Sequence, residues 1–66
     1  MTFKLYKNGE FQRLVTETRE ETIAALSESP RFYMIPHHMP GALAYYELND
    51  IRQIRNIYVH LPLEVA

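Results

Sequence analysis

Two short alternating stretches open the chain. Phe3-Lys4-Leu5-Tyr6 and Phe11-Gln12-Arg13-Leu14-Val15 flank Lys7-Asn8-Gly9-Glu10. Asn-Gly between alternating runs is the strongest short-range hairpin signal. Two registers compete. A two-residue Asn8-Gly9 loop opposes Tyr6 to Phe11, and leaves Phe3 and Leu5 on a face with Gln12 and Leu14. A three-residue loop of Lys7, Asn8 and Gly9 opposes Leu5 to Phe11. It gathers Phe3, Leu5, Phe11 and Val15 on one face, with Arg13 the exception. A one-residue slip turns a whole strand over, so the hydrophobic set selects the register. The three-residue loop with a bulge is therefore expected.

The period then changes. Thr18-Arg19-Glu20-Glu21 fits a capping box, with Thr18 accepting from the Glu21 amide and Glu21 reaching back. Both glutamates suit the positive end of a helix dipole. Ile23 and Leu26, beside Ala24 and Ala25, form one narrow apolar stripe. Ser27-Glu28-Ser29-Pro30 ends the helix, because Pro30 disfavours helical backbone at Ser29.

Strand patterns return after Pro30. Arg31 to Ile35 is rich in β-formers and stops at Pro36. Pro36 to Gly41 reads as a loop with a Pro40-Gly41 turn pair. Ala42 to Leu48 reads as a strand, followed by a turn or cap at Asn49-Asp50. Asn56 to Leu61 alternates, with Ile57, Val59 and Leu61 on one face and Tyr58 and His60 on the other. Ile51 to Arg55 fits either one helical turn capped by Asp50 or a strand broken by a bulge, and the second is preferred. The order ββαβββ predicts an α+β fold over 1–66 as a single domain. One short helix packs on a small, mostly antiparallel sheet.

Such a helix covers little. Tyr6, Leu14, Tyr33, Tyr46, Tyr58 and His60 cannot all fit beneath it together with the first apolar set, so some must lie on an uncovered face or at an edge. Length sharpens this. A chain of 66 residues without cysteine has no disulfide to support a small core, which leaves efficient packing or self-association. Hydrophobic residues make up 47%, but five of them are tyrosines.

Charge and motifs exclude several chemistries. Seven basic residues against eight acidic ones give a net charge of −1, without the basic excess usual in nucleic-acid binders. Neither a signal peptide nor a membrane-length apolar run is expected, and cytoplasmic location is the default. His37 and His38 sit in a Pro-bounded loop and His60 on a strand. Adjacent loop histidines point apart, and even with Glu47 or Glu64 the spacing demands no metal. Ser27 and Ser29 are explained by the helix end, and no Gly-x-Gly phosphate loop occurs. Neither an enzyme nor a cofactor is expected.

What remains is an interaction surface. Tyr and Arg are enriched in interface hot spots. Tyr45 and Tyr46 must point to opposite faces of one strand. The expected contact residues are Tyr33, Tyr46, Arg52, Arg55, Tyr58 and His60. The function they imply is a non-catalytic, protein-binding regulator or inhibitor, acting as a homodimer through a Tyr/Arg-rich sheet face or edge. Its format (short, cysteine-free, one hairpin, one helix) resembles that of small phage or mobile-element regulators. The alternative is a nucleic-acid-binding regulator using Arg52, Arg55 and Tyr58 for phosphate contact and stacking.

Overall fold

A computed structural model describes residues 1–63. The elements run β1 (Thr2–Lys7), β2 (Glu10–Thr16), α1 (Arg19–Ser27), β3 (Phe32–Ile35), β4 (Leu43–Leu48) and β5 (Ile54–Pro62). The fold is α+β in the expected ββαβββ order. All strand pairs are antiparallel, and the sheet order is β2-β1-β5-β4-β3. The longest strand, β5, therefore sits at the centre. The chain leaves one edge at β2, runs through α1 and returns at the opposite edge as β3. Expected Glu64 lies outside the described residues. Among those described, no helix is long and apolar enough to cross a membrane.

The first hairpin corrects the expected loop. Asn8 (φ 52°) and Gly9 (φ 84°) are both left-handed, and Lys7 pairs with Glu10, so the loop has two residues. This is the turn whose twist matches the flanking strands. The register is repaired further along, not at the turn. Tyr6 opposes Phe11 but Leu5 opposes Arg13, which leaves Gln12 as an extra residue in β2. Its side-chain amide donates to the Glu10 carbonyl at 3.0 Å. The bulge puts Arg13 and Val15 on the face of Phe3 and Leu5, as the hydrophobic set requires. Phe11 alone moves to the other face, where its ring meets Tyr6 edge-on at 5.8 Å.

The capping box forms as expected. Thr18 Oγ1 accepts from the Glu21 amide at 3.2 Å, and Glu21 Oε2 accepts from the Thr18 amide at 3.0 Å. The buried stripe differs from the expected one. Thr22 and Leu26 face the sheet, and Ile23 faces solvent. The rotation is explained by the Thr22 hydroxyl, which donates to Glu17 Oε1 at 2.6 Å. Phe3 and Leu43 are the largest fully buried side chains beneath or beside this helix.

The ambiguous segment divides. Asn49 Oδ1 accepts from the amides of Ile51 and Gln53 at 3.1 and 3.0 Å, which makes 51–53 a turn. Ile54 and Arg55 belong to β5, and the register shift there leaves Arg55 as a bulge.

Asn8 also ties the hairpin tip to the central strand. Its amide donates to the Ile57 carbonyl at 2.7 Å, and its Oδ1 accepts from the Ile57 amide at 2.8 Å. Asn8→Ala loses both the left-handed tolerance and the side-chain bond, and is expected to destabilise by about 2 kcal/mol in urea unfolding. Asn8→Gly keeps the turn and should cost about half of that. Equal effects from the two variants would contradict this role.

Candidate functional site

The six expected contact residues divide between the two sides of the sheet. Tyr33 and Tyr46 are cross-strand partners on β3 and β4, on the side away from α1. Arg52 joins them from the β4–β5 turn. Its guanidinium donates to the Tyr33 hydroxyl at 2.6 Å and to the Pro30 carbonyl at 3.1 Å, with Cζ 5.4 Å from the Tyr33 ring centroid. Arg52 holds a left-handed φ of 65°, unusual for a side chain of this size. Arg31 and Asp50 close the same end with a 2.9 Å ion pair. Arg55, at the bulge, lies 3.9 Å from Glu47.

Tyr58 and His60 are on the helix side. Tyr58 stacks on Tyr45, with centroids 5.1 Å apart and planes 14° from parallel. Phe32 meets Tyr45 edge-on at 5.5 Å. His60 is only 4% exposed and packs edge-on against Tyr45 at 5.6 Å. Its Nε2 is 3.4 Å from the Tyr45 hydroxyl. Burial, with Tyr58 and Glu17 adding, pushes the Tyr45 phenol up to about 12, so it remains a donor. His60 Nδ1 is 3.1 Å from Glu17 Oε1 but out of line with it, and makes no hydrogen bond. Arg52 and Tyr58 consequently share no surface.

The side away from α1 carries a feature that an Arg/Tyr search missed. Strand pairing aligns Phe11, Tyr6, Val59, Ala44 and Ile35 in one row across all five strands. Ile57, Tyr46 and Tyr33 form the next row, and Leu14, Lys4 and Leu61 the row before. Lys4 is the only charged residue in these three rows. Phe11, Leu14 and Tyr33 are 49%, 54% and 47% exposed. A solvated antiparallel sheet face normally alternates to polar residues; this one does not. Clean alternation at Ile57, Val59 and Leu61 was the available signal for it.

His37 and His38 lie exposed in the β3–β4 loop, and the Met39 amide donates to His37 Nδ1 at 3.3 Å. Among the described residues, no group of three His, Asp or Glu is placed to hold a metal ion. Comparison with known protein families, curated proteins and solved structures finds no match.

Burial lowers the His60 pKa below its ordinary 6.5; Glu17 opposes the shift and Arg13 adds to it. The folded state then binds this proton more weakly than the unfolded chain. Stability is at its full value above pH 6.5 and falls as pH drops through the folded-state pKa. The Tm is expected to fall between about pH 7.5 and about pH 5.5, and His60→Phe should flatten that slope. An unchanged slope in the variant would place the titration elsewhere.

Proposed function

We propose that this is a non-catalytic, protein-binding protein whose working surface is the sheet face opposite α1, and that its first partner is a second copy of itself. The observation that carries this is the uncharged row Phe11–Tyr6–Val59–Ala44–Ile35, flanked by Ile57, Tyr46 and Tyr33. Phe11, Tyr33 and Ile57 of this set are exposed, Tyr6, Ile35, Tyr46 and Val59 are half-buried, and Ala44 at the centre is buried; contiguous apolar surface that stays in part open to solvent marks interaction surfaces. Tyr33 is preorganised there by Arg52, so its ring loses little further freedom on binding.

Size favours the second copy. Five strands spaced about 4.8 Å apart and about 20 Å long offer on the order of 500 Å² of projected face. A stable interface takes about 800 Å² of accessible surface per partner, so the whole corrugated face must be matched. An identical face does so with two-fold symmetry. Two such sheets stack about 10 Å apart as in a β-sandwich. Such a protein acts by occupancy, as a regulator or inhibitor does. A chain without cysteine accords with a reducing compartment such as the cytoplasm.

Light scattering after size exclusion is expected to give twice the 7.8 kDa of one chain. Ile57→Lys, which places a charge beside Tyr46 without entering the helix-side core, should give a folded monomer. A wild-type monomer at high micromolar concentration would overturn the proposal.

A further inference from the structure

The residues that make the first turn also form a reactive pair. Asn8 is exposed at the hairpin tip and is followed by Gly9. Nothing lies within 4 Å of the position that a Gly9 Cβ would take. The Gly9 amide nitrogen has no hydrogen-bond partner among the described residues. Asparagine amides are among the chemically labile groups of proteins. With no side chain on Gly9, its nitrogen is free to reach the Asn8 amide carbon once the turn loosens.

The folded turn opposes that approach. Asn8 Oδ1 accepts from the Ile57 amide at 2.8 Å, and Asn8 Nδ2 donates to Asn56 Oδ1 at 3.1 Å. Both polar atoms of the side chain are thus engaged on β5. Asn56 is fixed in turn, because its Nδ2 donates to Glu47 Oε1. A side-chain amide has one donating end and one accepting end. With its donating end on Glu47, Asn56 presents its oxygen to residue 8. Position 8 therefore needs a donor at the tip of its side chain, which an amide has and a carboxylate lacks.

We propose that Asn8 is a self-modification site, converting through Gly9 to isoaspartate and aspartate, and that conversion irreversibly releases the hairpin tip from β5. The Gly9 nitrogen gives its proton to solvent base and bonds to Asn8 Cγ. Nδ2 takes a proton and leaves as ammonia, closing a cyclic imide. Water opens that ring. Cleavage between the Gly9 nitrogen and the Asn8 backbone carbonyl carbon gives isoaspartate; cleavage at Cγ gives aspartate. One water is consumed and one ammonia released, with no oxidation or reduction. Aspartate turns an acceptor towards the Asn56 oxygen. Isoaspartate adds a methylene to the backbone of a two-residue turn whose length sets the strand pairing. The bonds to β5 set the pace, because the side chain must leave them before the nitrogen reaches it. The reaction needs one chain only and is independent of the proposed dimer.

The test is incubation of the full chain at mildly alkaline pH, in buffer and in urea. Peptide mapping by mass spectrometry and isoaspartate quantification follow the products. In buffer, Asn8 is expected to convert ahead of Asn49 and Asn56, with isoaspartate in excess. In urea it should convert roughly thirtyfold faster, the yield of two side-chain hydrogen bonds lost. Asn56→Ala removes one of the two and should speed conversion in buffer roughly fivefold, short of the urea rate. The converted chain should lose hydrogen-exchange protection at the Ile57 amide and keep it between β4 and β5. Equal rates in buffer and urea, earlier conversion at Asn49 or Asn56, or a wild-type rate in Asn56→Ala would overturn the proposal. So would an Ile57 amide still protected after conversion, or a folded chain in which Asn8 does not convert.

Discussion

A nine-residue helix is about 14 Å long and roughly 10 Å across. A sheet of five strands is about 24 Å wide. One element must therefore cover another that is much broader, and most other features follow from that mismatch. On the helix side, the width left over is occupied by large rings with polar tips. Tyr45 and Tyr58 stack there, Phe32 closes on them, and His60 is buried without full hydrogen bonding. On the far side, no second helix exists among the described residues to cover the rows around Val59 and Tyr46.

Two bulges decide which residues occupy which side. Gln12 shifts β2 so that Arg13 and Val15 join Phe3 and Leu5, while Phe11 stays with Tyr6 on the far face. Arg55 does the same work in β5, releasing Ile54 to pair with Leu48. Each bulge lets a tight turn keep its own geometry while the strand beyond it keeps its apolar alternation. Asn8 joins these local solutions, since it both makes the turn and bonds to the central strand at Ile57. The hairpin is thereby attached to the sheet at its tip as well as along its length.

Much of this was legible in the residues. Asn8-Gly9, the Thr18–Glu21 box, Pro30, Pro36 and the alternation from Asn56 to Leu61 mark the elements through local backbone preferences. Such preferences act over a few residues and need no partner. The bulge at Gln12 was harder, because it depends on the pairing strand; the turn at Asn49-Asp50 was legible, and what the residues left open was that Asn49 Oδ1 carries it on to Gln53. The buried helix stripe, Thr22 and Leu26, likewise depends on a residue outside the helix. Thr22 can take the interior position in place of Ile23 because Glu17 accepts from its hydroxyl, so the burial leaves that group paired. The Tyr/Arg set illustrates the limit of residue type as a guide. Tyr33, Tyr46 and Arg52 do come together, whereas Tyr58 and His60 enter the opposite side of the sheet. Which side α1 covers was not encoded in β5 alone, since both of its faces are apolar enough to be buried.

The central claim is that the far face is covered by an identical face. Isotope-filtered NMR on an equimolar mixture of labelled and unlabelled chains tests it most directly. The expected result is intermolecular contacts among Phe11, Tyr46, Ile57 and Val59, with none from Thr22 or Leu26 of α1. Intermolecular contacts confined to α1, or none at all at concentrations where the protein remains folded, would contradict it.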